Sequence, residues 1–172
     1  AEAPLEVKRR IGYMPEGAPS YGDMTPAAFL DFVADMRGLD GPDKTSLIAK
    51  VVEDVHLAEV LGQPIETLSK GYKRRVGLAQ ALVHDPEILI LDEPTEGLDP
   101  NQKHEIRTLI RRMAPYKAIV ISTHLLEEVS AVCSRAVIID QGRVVADGTP
   151  SDLAARSATH NAVVLTLRPK PT

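Results

Sequence analysis

The sequence predicts an α/β fold, a parallel sheet with a block of helices inserted between its first two strands. Three features predict it. Glu87-Ile88-Leu89-Ile90-Leu91-Asp92-Glu93-Pro94 is an unbroken apolar run ending in two carboxylates and a proline. Such a run, bounded by breakers, reads as a strand buried on both faces, as in a parallel sheet. Ala118-Ile119-Val120-Ile121-Ser122 repeats the pattern after a helical stretch, and strands alternating with helices give a parallel α/β sheet. From Gly17 to Asp85 the pattern is helical, which marks the insertion.

Composition narrows the function classes. Of 172 residues, 44% are apolar and 26% charged, the make-up of a globular domain and not of a disordered chain. Aromatics amount to 3% with no Trp, and the net charge is −4. Nucleobase stacking is poorly supplied, and phosphate-driven nucleic-acid binding is disfavoured. The single Cys133 cannot form an internal disulfide; in its apolar helical surroundings it reads as an inert core thiol of a reducing compartment. No apolar run reaches the length of a membrane span, and no signal peptide is present. Any membrane role is therefore peripheral, through a partner.

Taken in order, Ala1 to Arg10 is a mixed polar lead-in, and Ile11-Gly12-Tyr13-Met14-Pro15-Glu16 is a short strand stopped by proline. Thr25 caps a helix with Pro26 at its first position, and Phe29, Phe32, Val33 and Met36 form its apolar stripe. Asp43 caps a second helix carrying Leu47, Ile48, Val51 and Val55. Ser69 caps a third, from about Gly71 to Val83. A serine with free backbone N–H groups at a helix start makes an anion site. In the triplet that follows, Lys73 and Arg74 read as a solvated basic face.

Asp92 and Glu93 then emerge at the carboxyl end of the central strand, where ligands of such sheets bind. Paired carboxylates there are costly unless compensated. Magnesium with phosphates compensates them, since Mg²⁺ takes one or two carboxylates and keeps its waters. Asp92 then serves the metal, and Glu93 orients or deprotonates a water. A lone Asp-Glu pair would read as a solvated acidic turn; the neighbouring stretches decide otherwise. Asp99 caps the next helix, with Pro100 at its first position and Ile106, Leu109, Ile110 and Met113 on one face. His124 follows the strand Ala118 to Ser122, at the same end of the sheet as Asp92 and Glu93. His56, His84, His104 and His160 have no metal-ligand spacing and read as surface or helix-end residues. Ala136 to Asp140, a Gln141-Gly142 turn and Arg143 to Asp147 predict a hairpin, followed by a short capped helix after Gly148-Thr149-Pro150. Val163, Leu165 and Leu167 alternate like a strand until Pro169.

These stretches together resemble one family. ILILDEPTEGLD is similar to the Walker B motif and D-loop of the ATP-binding-cassette (ABC) ATPases. Leu68-Ser69-Lys70-Gly71-Tyr72 resembles their signature motif, LSGGQ, and Ser122-Thr123-His124 matches their switch histidine. The similarity runs from about Ile11 to about Leu153. It implies a P-loop NTPase-like (RecA-like) parallel sheet, incomplete here. The implied domains are the Q-loop strand in 1–19, a helical subdomain with the signature in 20–84, and the ATPase core in 85–155. A tail or the start of a truncated extension occupies 156–172.

The resemblance further implies ATP and Mg²⁺, with Glu93 as catalytic base, His124 on the γ-phosphate, and Asp92 with Glu16 around the metal. Glu16 stands where the family usually has glutamine; Y-x-P-E sequences occur in exporter-like members. Ser69 by its hydroxyl and Gly71 by its N–H would grip the nucleotide of a second subunit. Lys70 replaces a usual glycine and either adds charge to a phosphate or points into water. Asp99 would communicate across the dimer, and Arg75 matches a family arginine whose role the sequence does not fix.

The implied partners are an integral membrane permease and a second ATPase subunit, like or unlike, at the cytoplasmic face of the membrane, with no nucleic acid. The competing readings are a non-transport ABC ATPase of ribosomes or DNA, and a non-catalytic interaction fragment. No G-x-x-x-x-G-K-[ST] phosphate loop occurs in the 172 residues. The expectation is a fragment lacking its phosphate cradle, weak or inactive toward ATP alone, with open sheet edges that make it marginally stable or self-associating.

Overall fold

The computed structural model describes residues 4–18 and 20–156; the alternating stretch at Val163 to Leu167, and His160, lie outside them. The chain divides after His124 into two compact units. In the first, β1 (Ile11–Met14), β2 (Ile88–Asp92) and β3 (Ala118–Ser122) form a parallel sheet in the order β1-β2-β3. Before it, α1 (Pro4–Arg10) replaces the expected polar lead-in. Its signals were present, a proline at the first position and a Glu6–Arg10 ion pair of 3.0 Å at i,i+4 spacing.

The insertion between β1 and β2 holds α2 (Pro26–Met36), α3 (Gly41–Asp54), two 3₁₀ turns (Ala58–Val60 and Ile65–Thr67) and α4 (Lys70–Leu82). Thr25 caps α2 as expected, accepting from the Ala28 amide. The buried face differs from the expected stripe. Phe29, Leu30 and Ala34 are buried, whereas Phe32 and Met36 are exposed, Met36 by 73%. Two overlapping stripes were available on α2, and the side carrying the small Ala34 is the packed one; Phe32 lies edge-on to Tyr21 instead. The cap of α3 is Asp40, not Asp43, because Pro42 belongs to the first turn and the helix starts at Gly41. Asp43 is the acid of that turn, favourably placed against the helix dipole.

The strands are less enclosed than the apolar runs suggested. On β2, Leu89 and Leu91 are fully buried while Ile88 and Ile90 are half-buried. On β3, Ala118, Val120 and Ser122 are exposed, Val120 by 58%. The reason is position, for β3 ends the three-strand order and has one strand neighbour in it. α5 (Pro100–Met113) buries Ile106, Leu109 and Ile110, the expected face.

The second unit contains α6 (Leu126–Val132), the antiparallel pair β4 (Ala136–Asp140) and β5 (Arg143–Gly148), and α7 (Pro150–Ala155). Gln141 and Gly142 both take positive φ, 47° and 74°, the backbone a two-residue hairpin turn demands. Arg135 grips Asp147 through two hydrogen bonds of 2.8 and 2.7 Å, and Thr149 with Asp152 forms a capping box on α7. Cys133 is half-buried just past the end of α6, not inside a helix; burial, with Glu128 beside it, pushes its thiol above the ordinary value.

Candidate functional site at the carboxyl ends of the strands

Strand register builds the site. Met14 lies opposite Leu91, and Leu91 opposite Ile121, so the next residues of each strand leave the sheet at one level. Those residues are Pro15-Glu16, Asp92-Glu93 and Ser122-Thr123-His124. The Ser122 hydroxyl donates to Oδ1 of Asp92. Glu93 turns the chain in the left-handed region at φ 46°, which non-glycine residues rarely adopt and which clusters at functional sites. Its amide donates to the Ser122 carbonyl at 3.1 Å.

The Glu93 carboxylate, 16% exposed, is held by three donors. The His124 amide reaches Oε1 at 3.0 Å, the His124 Nδ1 reaches the same oxygen at 2.8 Å, and the Thr123 hydroxyl reaches Oε2 at 3.4 Å. The hydrogen bond His124 makes to Glu93, and then the Glu93 charge, raise the imidazole above its ordinary pKa; desolvation opposes them, and Glu96 and Glu16 add to the rise. Asp92, Glu93 and His124 thus converge, with exposed Glu16 within electrostatic reach.

The signature-like residues make a second constellation. Ser69 is the N-cap of α4, its hydroxyl accepting from the Tyr72 amide at 3.4 Å. Gly71 is buried against Gln102, whose Nε2 would lie 2.5 Å from any Cβ added there. The exposed Lys70 side chain crosses Gly97, its Nζ only 2.1 Å from where a Cβ would stand. Asp99 caps α5 through the Asn101 and Gln102 amides at 2.9 and 3.0 Å. Ser69, Lys70 and Gly71 are therefore brought to the Glu96–Asp99 loop and the start of α5.

The basic triplet is not the solvated face its sequence suggests. Arg74 is 3% exposed and pairs through Nη2 with Glu96 at 2.9 Å. Lys73 donates to the Glu66 carbonyl at 2.8 Å. Arg75 pairs with Glu105, donates to the Val55 and His56 carbonyls at the end of α3, and lies over the Tyr72 ring. His84 is also tied in, since its Nε2 contacts the Ile11 carbonyl at 3.1 Å and its Nδ1 is buried without a partner. His56 and His104 are exposed. Arg74, Glu96 and Gln102 are the site residues that sequence reasoning missed. Nothing local marks them, because their partners lie some twenty to thirty residues away.

Among the described residues no three His, Cys, Asp or Glu side chains gather as a metal site. The donors still fit magnesium, which takes most of its ligands from water and phosphate and needs one or two carboxylates. Asp92, half-buried and oriented by Ser122, is such a donor.

Residues 3–96 match the family described as ABC transporter. The linearmycin resistance ATP-binding protein LnrL of Bacillus subtilis is 38% identical over 94% of this chain and 52% of its own length. The probable multidrug ABC transporter ATP-binding protein YbhF of Escherichia coli is 33% identical over 91% of this chain and 27% of its own. Among solved structures, cbiO1 from Clostridium perfringens, part of the ABC transporter complex cbiONQ, superposes with a TM-score of 0.77 at 27% identity, over 88% of this chain and 62% of that one. The fold is thus that of the P-loop NTPases. The chain spans about half the length of the curated relatives it matches. With that match over more than half its residues, the chain belongs to the ABC transporter family.

Proposed function

We propose that these residues belong to the ATP-hydrolysing subunit of an ABC transporter, one that couples nucleotide binding and hydrolysis to movement across a membrane. The observation that carries this is the convergence of Asp92, Glu93 and His124 at one end of the sheet, in a chain of this family. Glu93 is the general base that takes a proton from the attacking water, held in place by β2 and the Ser122 carbonyl. His124, in contact with Glu93, presents its imidazole to the γ-phosphate. Asp92, with Glu16, would hold magnesium, which would supply neutralisation of charge on the phosphates. Ser69 and Gly71 close on a nucleotide held by a second ATPase subunit, and Asp99 communicates across that pair.

The partners are that second subunit and a membrane permease at the cytoplasmic face; no helix among the described residues is long and apolar enough to cross a membrane itself. The relatives' names, one for drug resistance and one for probable multidrug transport, and the Y-M-P-E loop favour the exporter-like branch. These 172 residues contain no phosphate loop, so on their own we expect them to be weak or inactive toward ATP. The test uses a protein that carries them together with one. Glu93→Gln should abolish turnover there while prolonging the ATP-bound dimer, followed by phosphate release and size-exclusion chromatography. Hydrolysis retained by that variant removes Glu93 from the role of base.

A further inference from the structure

Arg74 combines features that a surface charge on a helix would not. Its guanidinium is buried, one arm meets Glu96 at 2.9 Å, and the other, Nη1, is buried with no hydrogen-bond partner. A buried charge with so few bonds is costly, and apolar residues of similar volume often replace such pairs without loss. What the pair does hold is position. It joins α4, one turn past Ser69 and Gly71, to the loop that follows Glu93. Two further contacts close the same seam, Lys70 across Gly97 and Gly71 against Gln102. The Glu96 amide in turn donates to the Glu93 carbonyl at 3.2 Å. A continuous set of contacts therefore runs from the signature turn to the backbone of the proposed base, within one chain.

Charge points the same way. Glu93, Glu96 and Glu16 are all near enough to act on His124, and Asp92 accepts from Ser122, two residues before that histidine. Arg74 offsets one of these four acids from behind.

We propose that Arg74 is a positioning residue that fastens the D-loop turn to the signature turn of its own chain through Glu96, so that the two move as one piece when the signature closes on nucleotide. This deepens the ATPase reading and depends on it only for the effect on turnover. The anchoring itself is open to test without nucleotide, in the protein that carries these residues together with a phosphate loop.

The experiment is amide hydrogen exchange on the wild type, Arg74→Met, Glu96→Gln and the double variant. The Glu96 and Leu98 amides report the turn, bonded to the Glu93 and Thr95 carbonyls respectively; the amides of α2 report the rest. Each single variant should speed exchange at Glu96 and Leu98 at least tenfold, the double no more than the faster single, and α2 should not change. Unaltered exchange in the turn, or an equal rise throughout the chain, would overturn the proposal. In the protein with its phosphate loop, both single variants should lower kcat about tenfold and leave KM for ATP unchanged, the double being no worse. Wild-type kcat in folded variants would also overturn it. A wild type that never hydrolyses ATP counts against the proposed function, and the exchange result still decides the anchoring.

Discussion

Gly12→Ala tests whether β1 and α4 are packed as closely as described. A Cβ at position 12 would lie 2.1 Å from the Ala81 carbonyl oxygen, 2.8 Å from Cγ of Pro86 and 3.0 Å from Cδ1 of Leu89. A carbon and a carbonyl oxygen settle no closer than about 3.3 Å, so α4 and β1 must part by roughly 1.2 Å. The obstacle is backbone, and no rotamer change relieves it. β1 cannot give way alone, since Gly12 lies opposite Leu89 in the sheet. The expected cost is about 3 kcal/mol, the upper part of the overpacking range. With an m-value of about 2 kcal/mol per molar urea, the unfolding midpoint falls by about 1.5 M. Gly62→Ala is the control, because nothing lies within 4 Å of a Cβ there. Urea melts followed by circular dichroism compare the three proteins. A Gly12→Ala midpoint equal to that of wild type or Gly62→Ala would refute the close approach of α4 to β1.

Two histidines should titrate in opposite directions. Burial first, and then the Arg37 charge, lower His84 below its ordinary 6.5. The unfolded chain then binds more protons between that lowered value and 6.5, so stability is complete above 6.5 and declines as pH falls through the window. Glu93 raises His124 above 6.5, so its contribution is complete below 6.5 and fades as pH rises through the raised value. Proton NMR titration reads both, and a His124 that stays high in Glu93→Gln would show that Glu93 is not the cause. Caps should rank by their bonds. Asp99→Ala, losing two bonds at the start of α5, should cost about 1–2 kcal/mol, and Ser69→Ala, losing one long bond, about 0.5 kcal/mol. Equal costs in thermal melts would count against that assignment.

What the sequence made legible was whatever local chemistry dictates. The runs ending at Asp92 and Ser122 gave the strands, their direction and therefore the common level of Glu16, Glu93 and His124. Thr25-Pro26, Ser69 and Asp99-Pro100 marked helix starts because a capping oxygen must find its amides within three residues. Burial was less legible. Nothing in Ala118 to Ser122 says that the strand ends the sheet, and the apolar residues of α2 fit two faces equally well. Arg74 was misread because a basic triplet on a helix is ordinarily solvated. Its burial depends on Glu96, twenty-two positions later, and only the packing of α4 against the loop after β2 brings the two together.

The proposed mechanism also has to release Glu93. In the resting chain, Oε1 of Glu93 accepts from both the amide and the ring of His124, which occupies both lone pairs of that oxygen and leaves none for a water. One partner must leave before Glu93 can act as base. The carboxylate is 16% exposed on a backbone fixed by the Ser122 carbonyl, whereas the imidazole is 66% exposed in the loop after β3. The free energy of movement therefore falls on His124. Under the proposed function, a γ-phosphate that drew the imidazole toward itself would remove the ring donor from Glu93 when a water needs its proton taken. On this view the sheet fixes the base, the loop carries the group that masks it, and the arrival of substrate makes the site competent.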